Sequence, residues 1–325
     1  MNSHFGNPLL EQRKLLSGEA VVVREDEVVI EIRGEDSRKF LHSLTSQNIL
    51  NLQDAESTES LLLSPQGHIE QQLKVIFKSE SCYLTINKAK AADLEAWLSK
   101  MIFRSKISIL ERSDLKVIGA FRDLGLSDLV WVDPWSSGSI GGIRYAVEVH
   151  DFPYREYLIE KENELSIPKA GMLAFEALRI AAGRPEIVDI DERSLPHEFD
   201  WMNSAVHLSK GCYRGQESVA KVHNLGHPPR RLVILNLADG DVLSQSGDKV
   251  FYNEKEVGLV LLGGLHFEAG SLALALVNRI TPYLDLQVQV GESLQLCTQQ
   301  VLVPFDAGKA ANLPRPSAFK LSGKK

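Results

Sequence analysis

The chain has 325 residues, 44% hydrophobic and 24% charged, with a formal net charge of -7 and an isoelectric point near 5.8, enough for two or three domains with a sizeable core. The acidic balance disfavours a broad electrostatic grip on nucleic acid, and no apolar run reaches the roughly 20 residues a bilayer span needs. Residues 1–17 carry Glu11, Arg13 and Lys14 where a secretory signal would be apolar, and the three cysteines are odd in number and far apart, so the expectation is a cytoplasmic protein without a disulfide framework.

Residues 27–32 read Glu-Val-Val-Ile-Glu-Ile, a strand that Gly34 ends, and Asp36 is placed to cap a helix whose apolar face is Phe40, Leu41 and Leu44. Strands follow over 60–64 and 69–77 around the turn Pro65-Gln66-Gly67. Another over 82–86 leads into a helix with Leu94, Trp97, Leu98 and Met101 at helical spacing. Further strands are expected over 117–121, 129–132 and 143–149, then a helix over 169–182 closed by Gly183 and Pro185. Short connections between strands favour an α+β fold with antiparallel pairing.

Beyond Arg231 the texture changes to short apolar runs over 232–237, 249–252, 257–262, 272–277 and 286–290, punctuated by glycine and polar turns. That pattern reads as a small β-barrel. The chain is thus divided into a region over 1–230, a barrel over 231–306, and a tail over 307–325 expected to be disordered.

Between Gly183 and Arg231 lies a long stretch with little periodicity but many reactive side chains, and such segments are either functional or disordered. Lys210, Arg214, Lys221, Arg230 and Arg231 are either a site for a small anion or a solvated basic loop. Cys212 lies between Gly211 and Gly215, with Lys210 and Arg214 two residues to either side. Either those charges favour its thiolate, helped by a helix starting near Gln216, or Cys212 is a small buried hydrophobe. His223 and His227 have metal-ligand spacing, but Gly226 and Pro228 break any helix there, so no metal site is expected. No Cys-x-x-Cys is present to hold zinc or an iron–sulfur cluster.

The run Lys210-Gly211-Cys212-Tyr213-Arg214-Gly215-Gln216-Glu217 resembles the signature K-G-C-Y-x-G-Q-E of the YgfZ family, which includes mitochondrial iron–sulfur assembly factors. Gly34-Glu35-Asp36 with Phe40-Leu41 and Leu44-Thr45-Ser46-Gln47 is similar to the family's opening G-x-D-x-x-x-F-L-x-x-L-T-x-Q. Arg179-Ile180 with Gly183, Pro196-His197-Glu198 and Arg230-Arg231-Leu232 follow in the family's order. The similarity spans residues 27–305.

The resemblance implies the fold of the glycine-cleavage aminomethyltransferase (GcvT-like): a folate-binding α+β region with ferredoxin-like units, then a terminal barrel. It implies tetrahydrofolate or a derivative as cofactor and iron–sulfur proteins as clients, with Cys212 as the functional thiol and Lys210 beside it. Glu198, Tyr213, Arg214, Gln216, Glu217 and Arg230 are the implied folate-binding residues, Glu198 for the pterin's donor edge and Arg230 or Arg231 for the glutamate tail. The alternative is a folate-dependent aminomethyltransferase or other one-carbon transferase. The aminomethyltransferase pattern Gly-Gly-x-x-Asp-Asp meets Gly67-His68-Ile69-Glu70-Gln71-Gln72 here, and an amide cannot replace the catalytic carboxylate.

Overall fold

In the computed structural model, residues 2–148, 150–240 and 242–310 are described. Helix α1, Pro8–Ser17, starts where the Asn7 side chain accepts from the N–H groups of Leu9 and Leu10, and stops at Gly18 with φ 84°. Strands β1, Val21–Val23, and β2, Glu27–Arg33, precede α2, Ser37–Leu44. Asp36 precedes α2 as expected but does not cap it: its carboxylate accepts from the Lys106 backbone N–H at 2.8 Å.

The expected hairpin is β3, Ser57–Leu63, with β4, Ile69–Lys78; β5, Ser81–Asn87, then leads into α3, Lys88–Met101, and β6, Ser108–Glu111. These strands form an antiparallel sheet of order β3-β4-β5-β2-β6. The succession β2-α2-β4-β5-α3-β6 therefore has ferredoxin-like order, with β3 added at the edge.

A second sheet, β10-β1-β7-β9-β8, uses β7 at Leu115–Ala120, β8 at Val130–Val132, β9 at Arg155–Glu160 and β10 at Lys169–Ala170. The strand expected over 143–149 does not form over residues 143–148, and Val149 lies outside the described residues. The Ile143 N–H donates to the Met202 carbonyl at 2.8 Å and the Tyr145 N–H to Asp200 Oδ1 at 2.6 Å, so these donors serve contacts with the distant segment 200–202 and not a ladder. The sequence reading missed β9.

Helix α4, Met172–Ala181, begins three residues later than expected because Lys169 and Ala170 pair in parallel with Val21 and Val22. Gly183 ends it at φ 63°, with Leu302 packed where a Cβ would stand. Short α5, Trp201–Ser204, and α6, Gln216–Leu225, precede the barrel.

Strands β11, Arg230–Leu237, β12, Lys249–Tyr252, β13, Lys255–His266, β14, Gly270–Asn278, β15, Leu286–Val290, and β16, Ser293–Val301, close as β11-β14-β13-β12-β15-β16. All neighbours are antiparallel. The alternation of β11 serves two cores: Val233, Leu235 and Leu237 fill the barrel, while Leu232 and Ile234 join the main core under α4. Ala307 is buried and the Ala310 N–H donates to the His223 carbonyl; the rest of the expected tail, 311–325, lies outside the described residues.

Where the two sheets meet α4, the core is ionic. Arg24 binds Glu186 through both terminal nitrogens at 3.0 Å and reaches Glu27 at 3.1 Å. Lys74 lies 2.5 Å from both Glu27 and Glu156, and Arg179 binds Asp189. Burial pulls Arg24 down, but the carboxylates of Glu186 and Glu27 outweigh it and hold the guanidinium well above its ordinary pKa.

Candidate functional site

The signature loop is held from both sides of its cysteine. Lys210 is buried, and its ammonium donates to the carbonyl oxygens of His42 and Thr45 at 2.5 Å and of Gln47 at 3.0 Å, at the C-terminal end of α2. Burial pulls its pKa down to about 7, while three carbonyls match the three N–H bonds of the charged form. This corrects the expectation that Lys210 stands beside the thiol: its charge is directed to α2. Tyr213 packs into the main core, with the Lys210 Nζ 5.2 Å from its ring centre, so it is a loop anchor and not a displayed ligand contact.

Arg214 turns to β4, donating to both oxygens of Glu70 at 2.7 and 3.1 Å with its guanidinium 5.8 Å from the Trp97 ring centre. Gly215, at φ 84°, meets the hairpin turn: a Cβ there would lie 2.5 Å from the Ser64 carbonyl oxygen. Gln216 donates to the Lys210 carbonyl at 3.2 Å, closing the loop on itself, and Glu217 is exposed in the first turn of α6. Since α6 starts at Gln216, Cys212 lies outside its first turn. Cys212 itself is exposed, whereas Cys82 and Cys297 are buried and burial pushes both thiols up to about 12. The small buried hydrophobe reading of Cys212 is therefore excluded.

A cleft of about 480 Å³ opens beside this loop, lined by Glu70, Gln71, Asp93, Trp97, Ile190 and Asp191 among others. Gln71 donates to the Lys90 carbonyl at 3.4 Å, which leaves its own carbonyl oxygen as an acceptor. Gln72 faces the interior, donating to Glu59 at 2.7 Å and accepting from the Ile187 N–H at 2.9 Å. Glu59 also binds Arg184 and Ser204, so the second position of the missing carboxylate pair belongs to a buried network.

Two implied folate contacts are already paired with each other. Glu198 is fully buried; both its oxygens accept from Arg230 at 2.8 Å, and one also accepts from the Leu195 N–H at 3.0 Å. Arg230 further binds Asp191 at 2.5 Å. Glu198 is therefore not an open acceptor, and Arg230 not a free cation; a bidentate pair satisfies both. Arg231 is buried too, donating to the carbonyls of Arg279 and Thr281.

Sequence reasoning missed Trp97 as a cleft wall and the stack of His197, Tyr145 and His223. Tyr145 lies 6.3 and 6.0 Å from the two imidazole centres, and its hydroxyl is 2.7 Å from His223 Nδ1. Burial brings His197 down to about 4, so it is neutral at physiological pH. The one available signal was helical: Trp97 stands at i, i+3 from Leu94, and both line the cleft. No group of three or more acidic, histidine or cysteine side chains able to hold a metal occurs among the described residues, and none of their helices is long and apolar enough to cross a membrane.

No protein-family model matches the chain. It is similar to a putative chloroplastic transferase of Arabidopsis thaliana, 24% identical over 302 residues that cover 84% of this chain and 68% of that one. It is 24% identical to the tRNA-modifying protein YgfZ of Vibrio atlanticus, covering 65% and 68% of the two chains. The crystal structure of the glycine cleavage system aminomethyltransferase T from Bartonella henselae superposes with a TM-score of 0.72 at 17% identity, over 92% of this chain and 89% of that one. The expected α+β fold with a terminal barrel is thereby established, the barrel having six strands.

Proposed function

We propose, for a chain that belongs as a distant homologue to the aminomethyltransferase-fold family of YgfZ and the glycine-cleavage T-protein, that it binds a tetrahydrofolate and supports iron–sulfur cluster assembly or repair in client proteins through Cys212. The observation that carries this reading is the exposure of Cys212 on a loop whose neighbours Lys210, Tyr213, Arg214 and Gly215 are all anchored. A thiol fixed in place yet open to solvent suits contact with a second protein. The cluster is cargo: this chain has no ligand set for one among its described residues.

The cleft beside the loop fits a pterin in size and chemistry. Its volume is in the range of small-molecule sites, Trp97 offers a flat face, and Gln71 with Asp93 offers acceptors to the amino group and ring N–H. In this reading Gln71, Trp97 and the Glu70–Arg214 pair hold the ligand, and Glu198 with Arg230 shapes the wall behind Asp191. A bound folate would supply one-carbon chemistry at the reduced pterin nitrogen and the neighbouring bridging amine. The chain's own residues orient the pterin and exclude water without offering a carboxylate at Gln71 or Gln72, which disfavours aminomethyl transfer. The location consistent with this reading is cytoplasmic.

Calorimetry with tetrahydrofolate on the wild type, Cys212→Ser and Gln71→Leu tests both halves. The expected result is equal binding by wild type and Cys212→Ser, weaker binding by Gln71→Leu, and loss of iron–sulfur enzyme activity in cells carrying Cys212→Ser. No binding by folded wild type would sink the folate half; full client activity with Cys212→Ser would sink the thiol half.

A further inference from the structure

The charges around the Gln71 cleft are unevenly balanced. Lys90, Glu70, Asp93, Asp191 and Glu192 are the lysine and carboxylate side chains that line it. Glu70 is bound by Arg214 at 2.7 and 3.1 Å, and Asp191 by Arg230. Lys90, Asp93 and Glu192 make no ion pair among the described residues, and all three are exposed at the rim. Lys90 and Asp93 are three residues apart on α3 and share a face, yet they do not pair with each other. Arg193, next to Glu192 in sequence, is exposed and does not line the cleft. With each bound pair counted as neutral, the cleft keeps Asp93 and Glu192 against the single ammonium of Lys90, on a chain of net charge -7.

We propose that the cleft selects folates by the length of their glutamate tail, accepting the monoglutamate and disfavouring polyglutamates. The inference rests on the folate reading above and specifies which form of the ligand that site takes. Lys90 precedes Trp97 by two turns of α3, about 10 Å along the helix, so a ring on Trp97 leaves its tail within reach of the ammonium. One ammonium matches one tail carboxylate. Each further γ-linked glutamate brings another carboxylate, which meets Glu192 and Asp93 with no second unpaired cation on the lining to receive it. Asp93 keeps its charge even where it accepts from the neutral pterin, so the bound ring does not remove the repulsion. Because these side chains are exposed, the discrimination acts through solvent and weakens as salt rises.

The test is calorimetry on the full chain, with oxygen excluded, using tetrahydrofolate monoglutamate and pentaglutamate at about pH 8, where an ordinary imidazole is neutral. In about 20 mM salt the pentaglutamate is expected to bind about three- to tenfold more weakly, and the two forms to converge in about 300 mM salt. Glu192→Lys, at an exposed position, is expected to shift that ratio about fivefold or more toward the pentaglutamate. Lys90→Gln keeps the backbone carbonyl that Gln71 uses and is expected to weaken the monoglutamate several-fold in low salt. Monoglutamate binding with an equal or tighter pentaglutamate would overturn the inference and leave the folate reading standing. A ratio unmoved by Glu192→Lys, or a monoglutamate affinity unmoved by Lys90→Gln, would overturn it in the same way. No binding of either form by folded wild type would overturn the folate reading and this inference with it.

Discussion

The ionic junction around Arg24 and the signature loop around Cys212 use charge in opposite ways. At the junction, Arg24, Lys74, Glu27, Glu156 and Glu186 are closed in on one another where the two sheets meet α4. On the loop, Lys210 is bound to α2 and Arg214 to Glu70, and Cys212 between them is exposed. Charges near one another in sequence thus need not act on one another. In the junction they bind distant elements together; in the loop they fasten down the frame of a single exposed side chain.

The strongest way to break this contrast is to remove a cation from the junction. Arg24→Met leaves the carboxylates of Glu27 and Glu186 without their largest counter-charge, and the expected loss in urea or thermal unfolding is about 3–5 kcal/mol. Lys210→Met is expected to cost about 1–3 kcal/mol, because buried carbonyls lose their donor. The alkylation rate of Cys212 in that variant should stay near wild type; a large change would return Lys210 to the neighbourhood of the thiol.

Asp200 offers a pH-resolved test. Burial pushes its carboxyl up to about 7, above the ordinary 3.8, so the folded state binds a proton that the unfolded state releases between those values. Its contribution is full below about 3.8 and is lost as pH rises through about 7. Asp200→Asn keeps an acceptor for the Tyr145 N–H and tolerates the left-handed backbone at φ 58°. The variant should match wild type near pH 4 and exceed it by about 1–3 kcal/mol at pH 8, measured by denaturant unfolding across that range. A pH-independent difference would remove the titration from the account.

The smallest effect belongs to Cys212→Ser, expected within about 0.5 kcal/mol of wild type, since an exposed side chain with no fixed partner holds nothing together. A thiol reagent should titrate one cysteine per folded chain, with Cys82 and Cys297 reacting only on unfolding.

Periodic elements were legible in the sequence for physical reasons. Leu94, Trp97 and Leu98 marked α3, and the apolar runs after Arg231 marked five barrel strands. The sixth, β16, was hidden because Leu294 and Leu296 point to solvent and only Cys297 of its interior stretch is fully buried. Residues 143–148 carry β-branched and aromatic side chains, yet their donors go to Asp200 and Met202, a tertiary choice that no local pattern records. At the site, the motif located Cys212 and its frame, but pairing was not readable. Glu198 and Arg230 lie 32 residues apart and neutralise one another, and nothing local distinguishes that from two open ligand contacts.

Helix α1 has a consequence for the order of events during synthesis. Gln12 donates to the Leu265 carbonyl and accepts from the Phe267 N–H, partners 253 and 255 residues away. At about 5–20 residues per second, roughly 10–50 s separate the emergence of the helix from that of the strand that receives it. Leu302, which packs against Gly183, is made later still. Through that interval the nascent chain carries α1 without its eventual cover, so this helix is where a ribosome-associated chaperone would find its longest-lived target.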